Sequence, residues 1–158
     1  MFGSIRRWLD RAKAARAAQE RFWKAVWRND LVAIEQAIMD GANVHGLCAS
    51  NQPTPAIYEA ADHGLNDMIK VLVRHGASPN DRGEDGETCL MAAGRRGYVG
   101  TMALLLQNGA DPSAVDAKGR TVEDVLRAWQ PEEVVRQALA VLRAHRESGT
   151  GGPPASSG

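Results

Sequence analysis

Apolar residues recur along this chain at helical rather than strand spacing. Ile5, Trp8, Leu9, Ala12, Ala15, Phe22, Trp23 and Val26, with Gln19 among them, fall on one stripe of a 3.6-residue period. No proline or glycine interrupts Ile5 to Arg28. The pattern therefore predicts one long helix, with Ser4 as its N-cap. Beyond it the apolar groups come in short pairs. Ile57, Ala60 and Ala61 are followed by Ile69 and Leu72; Leu90 and Ala93 are followed by Met102, Leu105 and Leu106. Each pair is split by a glycine and closed by another, which predicts helix–turn–helix units.

The units repeat. Gly64-Leu65-Asn66-Asp67 through Gly76-Ala77-Ser78-Pro79 is answered by Gly97-Tyr98-Val99-Gly100 through Gly109-Ala110-Asp111-Pro112, at an offset of 33 residues. A fainter copy runs from Asn29 to Ala42, and a partial one holds Gly119, Thr121, Asp124 and Leu126. Self-similarity at this period means a stacked array of units that cannot bury their apolar faces alone.

Within the third unit, Thr88 is read as a helix N-cap, and Ala92, Ala93 and Gly94 leave room for a close neighbour. Gly97 suits the left-handed residue that ends the short helix. Leu105 belongs to the core stripe, so Leu105→Ala is expected to be severely destabilising. The residues Thr88, Leu90, Ala93, Gly97, Leu105, Leu106, Gly109, Ala110 and Asp111 resemble the ankyrin repeat, as do Ile57, Ala60, Ala61, Gly64, Ile69, Leu72, Gly76, Ala77 and Asn80 in the unit before. The resemblance covers roughly residues 20 to 143. It implies an all-α fold, an ankyrin-like α-solenoid of about four helix–turn–helix units with a basic N-terminal helix. The chain is accordingly divided into a basic amphipathic helix at 1–19, a repeat array at 20–146 and a Gly/Pro/Ser tail at 147–158 that is expected to be disordered.

Three departures from the repeat stand out. Two extra residues lie near Leu47 to Pro53, and Pro53-Thr54-Pro55 shifts the usual Thr-Pro turn, so this loop is expected to be reshaped. Asn29 stands where a helix-ending glycine would, as the next most tolerant residue for that conformation. Gln130-Pro131 replaces another such glycine, and Pro131 with Glu132 and Glu133 suits the first turn of a new helix.

The net charge of zero conceals a polarity. Residues 1–28 carry eight Arg or Lys against Asp10 and Glu20, whereas the remainder carries 11 basic and 17 acidic side chains. The basic helix has three readings. It can cap the open end of the array. It can lie on an anionic membrane, with Phe2, Ile5, Trp8 and Leu9 inserted and Arg6 and Arg7 at the head groups. It can be an Arg-rich targeting presequence.

Catalytic and metal motifs are missing from the sequence. There is no GxxxxGK[ST], HExxH, GxSxG or CxxC, and His45, His63, His75 and His145 lack metal-ligand spacing. His75 is read as supporting a helix C-terminus. Of the two cysteines, Cys89 is placed in the core and Cys48 in an exposed, reactive loop, with no disulfide between them. The expected function is non-enzymatic binding of another protein by an adaptor or inhibitor, with no cofactor, metal or nucleic acid, by a chain that is cytoplasmic and monomeric on its own. The alternative is a scaffold held at a membrane surface by the basic helix.

The resemblance implies a concave binding face of short-helix surfaces and loop tips. Its candidate residues are Trp27, Arg28, Asp62, His63, Arg95, Arg96 and Trp129, which fall just before the helix-ending positions. Arg82, Glu84, Lys118 and Arg120 form the loop rim. Reversing the charges of Arg95 and Arg96 together is expected to abolish binding and leave the fold unchanged.

Overall fold

The computed structural model describes residues 2–48 and 53–149, with side chains at 4–48 and 53–148. It contains α1 (Phe2–Arg28), α2 (Leu31–Met39), α3 (Ala56–Asp62), α4 (Asn66–Arg74), α5 (Cys89–Arg96), α6 (Val99–Gln107), α7 (Val122–Trp129) and α8 (Glu132–Gly149). Among the described residues the only β pairing is two isolated bridges, Leu47 with Pro55 and Arg82 with Thr88, each at the neck of a loop. The short helices α3, α5 and α7 pack side by side, and each is backed by the helix that follows it. The end of α1 with α2, then α3–α4, α5–α6 and α7–α8, make the four expected units.

Local signals act as the sequence predicts in the third unit. The Thr88 hydroxyl accepts from Met91 N–H at 3.2 Å and caps α5. Gly97 ends α5 with φ 77°, where a Cβ would be strained. Asn29 takes φ 53° between α1 and α2 in the place of a glycine. Leu90, Ala93, Met102 and Leu105 are all buried, so the core register holds. Asn80 ties adjacent loops together, accepting from Asp111 N–H at 2.8 Å and donating to the Gly109 carbonyl at 2.9 Å.

Both departures at the array's later turns have a physical account. Gln130 stays extended at φ −115° rather than left-handed, and its side chain donates to the Arg95 carbonyl at 2.6 Å. Pro131 then opens α8, which runs twice as long as α4 or α6 and closes the C-terminal end with Val135, Ala138 and Leu142.

Four expectations are corrected. Ser4 is not an N-cap, because α1 already begins at Phe2. The capping role of α1 belongs only to its second half. Ala18, Phe22, Trp23, Ala25 and Val26 are buried, whereas every residue from Ser4 to Ala17 is exposed. Cys48 is buried, not exposed. The strand-like bridge draws it inward: Cys48 N–H donates to the Thr54 carbonyl at 3.2 Å, and its sulfur accepts from Thr54 N–H at 3.4 Å. Residues 147–149 continue α8 instead of starting the tail. The remainder of the expected disordered tail, and the side chain of Phe2, lie outside the described residues.

Candidate functional site: the concave cleft

The short helices present their C-terminal ends toward the loop tips, and the two together enclose a cleft of about 520 Å³. Asp62 of α3, Arg95 and Arg96 of α5 and Trp129 of α7 line it, as do Glu84, Lys118 and Arg120 from the tips. Seven of the candidate residues named from the sequence therefore converge on one site. The other four lie elsewhere. Trp27 and His63 line a separate groove of about 130 Å³ with Asn29 and Met68, and Arg28 lines another between α1 and α2. Arg82 braces the tips from behind: its Nη1 donates to the carbonyls of Gly86 and Val115, each at 2.7 Å.

The cleft floor is an ion-pair network that crosses repeats. Arg95 and Asp62 occupy the same position of adjacent units, 33 residues apart. Arg95 Nη2 lies 2.6 Å from Asp62 Oδ1, and its Nε donates to Glu87 Oε1 at 3.1 Å. Arg96 grips the same Asp62 carboxylate in a two-pronged fashion, at 3.0 and 2.7 Å. The Tyr58 hydroxyl donates to the other Glu87 oxygen. Sequence patterning misses Tyr58, which lies outside the exposed row, and places Glu87 only in the loop tip; the offset of 33 between Asp62 and Arg95 is the signal that could have paired those two.

Titration follows the geometry. Burial pushes the Asp62 carboxyl up, but the Arg96 hydrogen bond and the charges of Arg95 and Arg96 outweigh it and hold it below its ordinary value. Burial would lower the Arg95 guanidinium, yet its bond to Glu87 and the nearby carboxylates raise it. Burial first, then the hydrogen bond to Glu87, raises Tyr58, so it remains a neutral donor. Both arginines expected to await a partner are thus engaged within the fold. Reversing their charges would set two new carboxylates against Asp62 and Glu87, so the expectation of an unchanged fold does not hold.

A second pair supports the fourth tip. Asp116 is buried and receives the Lys118 and Arg120 N–H groups, each at 2.9 Å, with Arg120 Nε at 2.8 Å. The Arg120 backbone bond leads in lowering its pKa. Lys118 itself is exposed on the rim, as are Glu84 and Asp85 opposite. One close approach shapes this wall. A Cβ on Gly83 would come within 2.5 Å of the Tyr58 ring, so glycine lets the loop lie over that ring.

The reactive groups are arranged for structure. Burial pushes the Cys89 thiol up to about 12, and its sulfur donates to the Asp81 carbonyl at 3.2 Å. The His75 backbone N–H closes α4 on Val71 and Leu72, with Nε2 3.7 Å from Glu35. Among the described residues, no three His, Cys, Asp or Glu side chains are gathered where a metal could be held.

The 33-residue repeat of helix pairs agrees with the comparison to known sequences. The family model described as ankyrin repeats (3 copies) matches residues 22–116. Protein HOS4 of Saccharomyces cerevisiae is 30% identical over 115 residues, which are 72% of this chain and 10% of that protein. XBAT34 of Arabidopsis thaliana is 31% identical over 124 residues, 77% of this chain and 33% of that protein. An ankyrin repeat-containing protein of Treponema pallidum is 36% identical over 89 residues, 56% of this chain and 29% of that protein. The chain thus spans a third or less of the length of these relatives. The repeat period, the paired helices, the left-handed glycines and the family match coincide over the same residues, and the chain belongs to the ankyrin-repeat proteins, a family of protein-interaction modules.

Proposed function

We propose that this array is a non-enzymatic adaptor or inhibitor that holds a segment of another protein in the concave cleft. The observation that carries this reading is the cleft itself, with Trp129 left 62% exposed on its wall. Tryptophan is enriched among residues that dominate binding energy, and the polar groups around it supply the rim that a bound partner would close against water. Because Arg95, Arg96 and Arg120 already have carboxylate partners, Lys118, Glu84 and Asp85 set the charge a partner meets. The fitting segment presents an apolar or aromatic side chain to Trp129, flanked by charges of both signs. The same reading has the chain cytoplasmic and monomeric on its own.

A photoreactive residue at position 118 should cross-link a partner from native lysate, while the same residue at position 107, on the opposite side, should not. Trp129→Ala should then weaken binding of that partner about tenfold or more by calorimetry, with thermal melting nearly unchanged. Equal cross-linking from both positions, or unchanged affinity, would place the site off the cleft.

A further inference from the structure

We infer that the apolar face of α1, where it projects past the array, docks on the surface of an anionic lipid bilayer. This goes beyond the cleft and does not depend on it. Residues 4–17 continue α1 past the array by about 21 Å at 1.5 Å per residue, and all are exposed. A helix of this length is marginal in water by itself, so a surface that covers it stabilises it.

Its face is amphipathic and continuous with a second apolar patch. Ile5 and Trp23 are 18 residues apart, as are Leu9 and Trp27, which is five turns of an α-helix. The four therefore share one side of α1, which the array covers at Trp23 and leaves open at Ile5, Leu9 and Trp27. Ile5, Trp8 and Leu9 are exposed on the projecting half. On the docked half, Trp27 stands 65% exposed beside the exposed Leu47, and a groove of about 400 Å³ runs there between Trp23, Trp27, Leu47 and Arg16. Sequence patterning assigned Trp27 to the concave row, whereas its helical phase joins it to Ile5 and Leu9.

Charge selects the occupant. Residues 4–17 hold Arg6, Arg7, Arg11, Lys13 and Arg16 against Asp10 alone, and the rest of the chain beyond residue 28 is acidic. Basic residues beside a Trp, Leu and Ile stripe suit the boundary between headgroups and acyl chains. The acidic array is repelled from an anionic surface, which orients the cleft outward. A second copy docked α1 to α1 would bring one strongly basic helix against another. The helix lies on the bilayer rather than through it, since no helix among the described residues is long and apolar enough to cross one.

The test is co-sedimentation of the intact chain with vesicles of phosphatidylcholine alone or with about a third phosphatidylserine. Binding is expected only to the anionic vesicles and should weaken with salt. Arg6→Gln with Arg11→Gln and Lys13→Gln should reduce it about a hundredfold. Trp8→Ser with Leu9→Ser, and separately Trp27→Ser with Leu47→Ser, should each reduce it about tenfold or more. All three variants should melt like the parent chain, because they change exposed side chains. Equal binding to neutral vesicles, no binding, or charge variants that bind normally would overturn the inference. An effect at Trp8 and Leu9 with none at Trp27 and Leu47 would refute the continuous face. Self-association of the parent chain that Trp8→Ser with Leu9→Ser abolishes would assign this face to a second copy.

Discussion

The arginines of the cleft and those at the start of α1 are the same chemistry in opposite settings. Arg95, Arg96 and Arg120 each face a carboxylate of low exposure, so the charge of Arg95 and Arg96 is spent on holding neighbouring repeats in register and that of Arg120 on its own loop tip. The basic residues of α1 between Arg6 and Arg16 outnumber the carboxylates around them, on a helix that the array does not cover. A charge on the surface row of a solenoid is thus no guide to binding until its partner in the adjacent repeat is known. Asp62 lies one repeat before Arg95, where a single repeat viewed alone would show nothing.

This contrast can be broken by making the same change in both places. Arg95→Glu with Arg96→Glu should cost about 3–5 kcal/mol, because Asp62 and Glu87 would be left facing new carboxylates. Chemical denaturation measures it, and a change within about half a kcal/mol would mean that the network is ornamental. The next largest effect is at the shared acid. Asp62→Asn should cost about 1.5–3 kcal/mol at neutral pH, as charge-assisted bonds from two arginines are weakened. The folded-state pKa of Asp62 lies below its ordinary value of 3.8. Its contribution is therefore complete above that value and is lost as pH falls through the folded pKa. The gap between Asp62→Asn and the parent chain should stay constant from neutral pH down to about 4 and close below it. A gap that is widest in acid would reverse the sign and refute the pairing.

A smaller effect tests the wall of the cleft. Gly83→Ala should cost about 1–3 kcal/mol by pushing the Tyr58 ring away from the loop and weakening its bond to Glu87. Thermal melting alongside Tyr58→Phe separates the two contributions: if crowding acts through that hydrogen bond, the double variant should cost less than the sum of the singles. The smallest effect belongs to α1. Arg6→Glu with Arg11→Glu should shift stability by about 0.5 kcal/mol or less, since both side chains are exposed on the projecting half. A loss as large as that of the Arg95 and Arg96 reversal would show that this half of α1 is packed, and the comparison would fail.

Much of the fold was legible from local signals. Thr88, Gly97, Asn29 and Pro131 each act within a few residues of themselves, through caps and backbone preferences that any context preserves. The core register was legible because the 3.6-residue spacing of Leu90, Ala93, Met102 and Leu105 has one solution in a thin helical layer. Cys48 was not legible. Its burial depends on the bridge from Leu47 to Pro55, which closes a loop that the repeat pattern does not describe.

By itself the sequence determined the repeat, the helices, their ends and the basic polarity of α1, because each follows from spacing and composition along the chain. Only the tertiary structure decided which of those charges remain available. Stacking at a fixed offset brings Asp62 onto Arg95 and Arg96, while local folding of the loop tips sets Glu87 beside Arg95 and Asp116 under Arg120. The same stacking ends at Ala18, so the array covers the second half of α1 and leaves the first half, with Ile5, Trp8 and Leu9, facing outward. Pairing across repeats is a matter of distance in space, and spacing along one repeat carries no record of it.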